Sequence, residues 1–135
     1  MYFTSSISAI IDFFNFSNDC PAPNHVTLIA RNQIQSPNFE FRQTVRKPPG
    51  TPLIRYLESA ADQDSNFKFN ATYFPSPLGY SIGCIHGLAG IWTPDRTWWK
   101  ILGSDGQGLQ LGVSSYVPED NEVITFEFTK GGHCE

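Results

Sequence analysis

The chain has 135 residues, 40% hydrophobic, 14% aromatic and 16% charged, which excludes a disordered protein and allows one well-filled core but not two. Its formal net charge of -4 leaves no basic field, and Arg42, Arg46 and Lys47 are too few to neutralise many phosphates, so nucleic acid is excluded as a partner. No run approaches the roughly 18 apolar residues that a membrane span needs.

Residues 1–24 read as a leader or linker. Their apolar stretch is interrupted by Asp12 and preceded by no Lys or Arg, a poor signal peptide; either the segment is a replaced leader or the chain begins part-way through a longer product. Short alternating segments start at His25, so one domain is expected over residues 25–130, with a tail at 131–135. In residues 38–47, Phe39, Phe41 and Val45 alternate with Glu40, Arg42, Thr44 and Arg46, the pattern of a half-buried strand. Residues 26–31 supply its hairpin partner. Lys47-Pro48-Pro49-Gly50 ends the strand, and Thr51 then reads as an N-cap with Pro52 at the first helical position. Leu53, Ile54, Leu57, Ala60 and Ala61 form one apolar stripe, predicting a helix over 51–62.

Phe67, Phe69, Ala71 and Tyr73 alternate through the next strand and put Asn70 on its solvent face. A turn at 75–79, a strand at 80–85 and the stretch Gly87-Leu88-Ala89-Gly90 follow. Strands are predicted at 97–102, 109–116 and 123–129, the last with Ile124, Phe126 and Phe128 inward. This order is an α+β fold, a β-grasp-like mixed sheet with one helix packed across it.

The sequence carries little chemistry. Gly112-Val113-Ser114-Ser115-Tyr116 lacks the second glycine of a nucleophile elbow. His25, His86 and His133 are scattered, and Glu119, Asp120 and Glu122 flank a turn, where solvation accounts for them. The glycines at 103, 106, 108 and 112 are not followed by the Lys-Ser/Thr of a phosphate loop. An enzyme is therefore not expected. Cys20, Cys84 and Cys134 have no zinc-ligand spacing; in an oxidising compartment two of them are expected to pair, while the third stays free or cross-links to another chain. The sequons Asn15-Phe16-Ser17 and Asn70-Ala71-Thr72 point towards secretion. Trp98 and Trp99 are adjacent, so they face opposite sides of a strand. Either one of them is an exposed contact, or the loop carrying Leu88 and Trp92 covers it.

Several of these segments carry a family resemblance. They are Phe67-Lys68-Phe69-Asn70-Ala71-Thr72, residues 79–87, Thr97-Trp98-Trp99-Lys100-Ile101-Leu102, residues 109–118, which read Leu-x-x-Gly-Val-x-x-Tyr-x-Pro, and residues 122–129. In order and spacing they resemble the C-terminal β-domain of the transcobalamin and intrinsic factor family of vitamin B12 carriers. The resemblance implies a β-grasp domain that closes over one face of cobalamin, while a separate helical α/α-barrel, or another protein chain, holds the other. It would place Leu109, Gln110, Leu111, Gly112 and Val113, with Trp98 or Trp99, against the corrin, and Gly112 would allow close backbone approach. Ser115 departs from the acidic residue frequent in the family near that position. No protein ligand to cobalt is implied, and Cys20 would be the candidate tether to the barrel. Two functional readings follow: a secreted cobalamin-binding, transport-like domain, weak without its helical partner, or a stand-alone extracellular interaction or signalling module that has lost corrin binding.

Overall fold

The structure is a computed structural model and describes residues 22–131; Asn15, Cys20, His133 and Cys134 lie outside them. Seven strands occur in chain order: β1 (Asn24–Asn32), β2 (Phe39–Lys47), β3 (Phe69–Phe74), β4 (Gly79–Ile85), β5 (Leu88–Ala89), β6 (Thr97–Leu102) and β7 (Val123–Lys130). One α-helix, α1 (Leu53–Gln63), separates β2 from β3. The strands form a four-stranded sheet in the order β2-β1-β7-β6 and a three-stranded sheet in the order β3-β4-β5. β1 runs antiparallel to β2 and parallel to β7, so the first sheet is mixed.

Strand alternation sets what the sheet buries. Val26, Leu28 and Ala30 of β1 and Ile124, Phe126 and Phe128 of β7 share the inner face and are buried. Against them lie Leu53, Tyr56, Leu57 and Ala60 of α1, the apolar stripe of an amphipathic helix. On the outer face the register lines up Lys100, Glu127, Arg31 and Glu40 across four strands. Opposite charges are neighbours throughout that row, a favourable cross-strand arrangement, and Arg31 Nη2 donates to Glu127 Oε1 at 3.1 Å.

Three elements differ from the sequence reading. Pro52, not Thr51, is the N-cap of α1, and no side chain caps it; the Thr51 hydroxyl instead donates to the Pro48 carbonyl at 2.7 Å. The unpaired N–H groups of a helix's first turn need acceptors, and those of Leu53 and Ile54 find the carbonyls of Tyr116 (2.8 Å) and Val113 (2.9 Å). That demand explains the second difference: residues 109–116 are not a strand. Between β6 and β7 the chain runs as turns, touching the sheet through an isolated bridge from Leu102 to Gly108; the Val113 and Tyr116 carbonyls are committed to the helix terminus, and that of Gly112 to a local turn with the Ser115 and Tyr116 N–H groups. Third, Phe67 closes a single 3-10 turn, Ser65–Phe67, and is fully buried, so β3 begins at Phe69.

Tyr56 is fully buried, and its hydroxyl has no hydrogen-bond partner; burial pushes its pKa upward. An unpartnered buried hydroxyl costs stability, so Tyr56→Phe is expected to stabilise the domain by about 1 kcal/mol, read as a higher denaturation midpoint in urea with an unchanged slope.

Candidate functional site

The β3–β4 hairpin is built from a segment without charge: residues 69–85 contain no Asp, Glu, Lys or Arg. Its two strands pair from Phe69 opposite Ile85 to Phe74 opposite Gly79, but β5 covers β4 only at Cys84 and Ile85. Beyond that short pairing the hairpin tip projects with its apolar side chains exposed: Tyr73 59%, Phe74 43%, Leu78 67% and Tyr80 41%. Tyr73 and Tyr80 are cross-strand partners whose rings meet edge to face at 5.1 Å, a geometry favoured by aromatic quadrupoles. Gly79 turns the chain with φ +73°, a conformation open to glycine at little cost.

The loop between β6 and β7 packs against this tip. The Tyr80 N–H donates to Ser114 Oγ at 2.9 Å, and a Cβ at Gly79 would fall 2.6 Å from the Ser114 Cβ. Leu111, 53% exposed, and Gly112, also exposed, immediately precede the loop's anchor in the core, Val113. At the loop's far end the Tyr116 hydroxyl lies 2.8 and 2.9 Å from the two carboxylate oxygens of Glu122. Burial, reinforced by that carboxylate, pushes the Tyr116 pKa up to about 12. The tip also lies near the start of α1, where Arg55 and Glu58 pair at 2.8 Å; Arg55 is raised above its ordinary pKa chiefly by Glu58, with a smaller contribution from Tyr80. Hairpin tip and loop, joined by the Tyr80–Ser114 hydrogen bond, together expose a platform of uncharged apolar side chains, with Tyr73 and Tyr80 on one face of the hairpin and Phe74 on the other.

The residues singled out in the sequence are dispersed by the fold. Trp99 is 6% exposed; its indole N–H donates to the Leu88 carbonyl at 2.9 Å, and its ring packs on Phe128 at 5.2 Å. Trp98 points to the opposite face, half-buried, with its N–H on the Gly131 carbonyl at 2.9 Å and Lys100 Nζ 6.0 Å from its ring. The adjacent tryptophans thus separate by face, as strand alternation requires, and the segment carrying Leu88 reaches the inner one. Leu109 packs against the core and Val113 is buried, whereas Gln110, Leu111 and Gly112 are exposed. A strand over 109–116 would have put Leu109, Leu111 and Val113 on one face; the segment is not extended, and the three are separated. Tyr73, Phe74, Leu78 and Tyr80 were not singled out in the sequence; the signal for them was the uncharged hairpin with aromatic residues at adjacent positions.

Apart from the hairpin, an open groove of about 600 Å³ lies where β1 passes into β2, lined by Asn32, Phe39, Phe41, His86 and Leu88 among others. His86 sits edge-on to Phe39 at 4.9 Å and Phe41 at 4.6 Å. Among the described residues no group of His, Cys, Asp and Glu is placed to hold a metal ion, and no helix is long and apolar enough to cross a membrane.

This architecture, a mixed four-stranded sheet and a three-stranded sheet with a single helix packed against them, is that of a β-grasp-like α+β domain. No protein-family model matches the chain. It is 31% identical over 121 residues to cobalamin binding intrinsic factor of Canis lupus familiaris and 30% identical over 121 residues to that of Homo sapiens. Each alignment spans 84% of this chain and 28% of the relative, so the chain covers little more than a quarter of the curated relatives' length. Among solved structures, haptocorrin in complex with Cbi superimposes with a TM-score of 0.67 at 24% identity, over 86% of this chain and 27% of that one. A putative metal binding protein from Ruminococcus gnavus superimposes with a TM-score of 0.57 at 11% identity, over 81% of this chain and 99% of that one. Over 84% of its length the chain is thus homologous to the C-terminal part of cobalamin binding intrinsic factor.

Proposed function

We propose that this chain is a secreted, cobalamin-binding domain that contributes one face of a corrin site, with the hairpin tip and Leu111-Gly112 as its contact surface. The observation that carries the reading is the apolar platform itself. In a chain related to intrinsic factor over 84% of its length, Tyr73, Leu78 and Tyr80 are exposed at a hairpin tip that is hydrogen-bonded to the loop carrying exposed Leu111, apolar surface of the kind a large amphipathic ligand buries. One platform covers about half of such a ligand, and association must offset roughly 4–15 kcal/mol of lost rigid-body freedom. Binding by this chain alone is therefore weak, and a helical domain or another chain supplies the opposite face. The platform offers no ligand to cobalt in this reading.

Secretion accords with Asn70, which is exposed on β3 and within a sequon, where a glycan would meet no obstruction from the fold. In that compartment Cys84, half-buried on β4, is available to pair with Cys20 or Cys134. The domain limits proposed are residues 25–130, with 1–24 as the linker and 131–135 as the tail.

The test is a titration of the full chain with cobalamin and with cobinamide, following the corrin absorption band. A saturable change between roughly 10 μM and 1 mM is expected. No change at millimolar corrinoid would sink the proposal and leave the stand-alone interaction module, a reading favoured by one observation: the fold spans 99% of the Ruminococcus chain.

A further inference from the structure

We infer that Ser114 is the positioning residue of the platform: its side chain sets the angle at which the β3–β4 hairpin tip meets the Leu111 loop, and so determines whether the two present one surface. The inference rests on the corrin-face reading above for its ligand, though not for its geometry. The Tyr80 N–H to Ser114 Oγ contact, at 2.9 Å, joins residues 34 apart in sequence. Among the described residues it is the one hydrogen bond between the hairpin, 69–85, and the segment 103–118.

The loop side of this contact is rigid. Val113 is buried and its carbonyl accepts from the Ile54 N–H at 2.9 Å, while the Tyr116 carbonyl accepts from the Leu53 N–H at 2.8 Å. Ser114 is therefore held from both sides by the start of α1. The hairpin side is held less firmly towards its tip: β5 pairs with β4 at Cys84 and Ile85, the Gly90 N–H reaches the Gly83 carbonyl at 2.8 Å and Ile82 packs against the core, but beyond Ile82 the tip has only its own two-stranded ladder. An isolated two-stranded hairpin is marginal in water, so a single hydrogen bond to a fixed point has leverage over its orientation. Steric fit acts at the same place. A Cβ on Gly79 would lie 2.6 Å from the Ser114 Cβ and 2.7 Å from its Oγ, so only glycine lets the tip approach this closely.

The function follows from the order of parts: helix start, loop, Ser114, Tyr80, and then the Tyr73–Tyr80 ring pair at 5.1 Å. Losing the hydroxyl leaves every apolar platform side chain present but lets the tip swing against Leu111, and a flat ligand then meets two surfaces in varying register instead of one. Pre-organisation of this kind governs affinity without adding contacts.

The experiment compares the full chain with Ser114→Ala and, as a control, the exposed neighbour Ser115→Ala, using residue-resolved amide hydrogen exchange and cobinamide titration. In Ser114→Ala the Tyr80 amide is expected to exchange about tenfold faster, while Leu28 and Phe126 in the core keep their rates. Cobinamide affinity is expected to fall about fivefold, equivalent to about 1 kcal/mol, the net worth of one hydrogen bond. Ser115→Ala should change neither quantity. An unchanged Tyr80 rate overturns the inference, as does faster exchange with undiminished affinity, or acceleration spread over the core amides. If the parent chain binds no corrinoid, the corrin-face reading fails by itself, and the Tyr80 exchange rate alone decides whether Ser114 positions the tip.

Discussion

Trp99→Ala is expected to cost about 3–5 kcal/mol of stability, whereas Trp98→Ala, one residue away, should cost about 1 kcal/mol. The difference comes from the face each ring occupies. Trp99 is 6% exposed and packs on Phe128 at 5.2 Å and near Phe39 at 6.3 Å, so truncation opens a cavity that the sheet cannot collapse into. It also removes the donor to the Leu88 carbonyl, at 2.9 Å, and loosens the β5 segment that roofs this part of the core. Trp98 lies half-buried on the outer face, where its loss releases the Gly131 carbonyl to water and uncovers part of the Lys100 stem. That change resembles a surface truncation with one hydrogen bond lost. Thermal and urea melts of both variants measure the contrast. Equal losses would mean that the outer face is packed as tightly as the core.

The second large effect is on the ligand. Removing Tyr73, Leu78 and Leu111 together, each to alanine, is expected to weaken cobinamide binding by about 100-fold. The three side chains are 59%, 67% and 53% exposed in the free domain, so each has apolar area left to bury against a corrin. At about 25 cal/mol per Å² a partly covered side chain of this size contributes about 1 kcal/mol, and three such losses give about 3 kcal/mol, roughly two decades in affinity. Stability should hold to within about 0.5 kcal/mol at Leu78 and Leu111, since exposed side chains leave no cavity when shortened, and fall by about 1 kcal/mol at Tyr73 through loss of its ring contact with Tyr80. Melts and titrations on the same samples separate the two quantities. A triple variant that binds as well as the parent would move the contact surface elsewhere on the domain.

Much of the scaffold is legible residue by residue. The alternation of Phe39, Phe41 and Val45 with charged and polar neighbours, and of Ile124, Phe126 and Phe128, recurs as strands β2 and β7 because a period of two survives in any sheet that covers one face. The stripe from Leu53 to Ala60 becomes α1 for the corresponding reason at a period of 3.6. Leu109-Gln110-Leu111-Gly112-Val113 has the same local alternation and is not a strand. Its fate was settled by a helix terminus some 60 residues earlier in the chain, where the N–H groups of Leu53 and Ile54 take the carbonyls of Tyr116 and Val113. Hydrogen-bond demand of that kind acts across space and leaves no mark on local periodicity.

The platform divides in the same way. The absence of charge across residues 69–85 and the adjacent aromatics Tyr73 and Phe74 are properties of the sequence, as is the placement of Trp98 and Trp99 on opposite faces. Which apolar side chains end up sealed and which remain open depends on what packs over them. The Leu88 segment reaches Trp99, and β5 stops short of the hairpin tip and leaves Tyr73, Leu78 and Tyr80 uncovered. An inward strand residue and a ligand-facing one carry the same apolar signature in sequence, because both are selected to leave water; only the tertiary structure decides whether the chain itself or a bound molecule removes it.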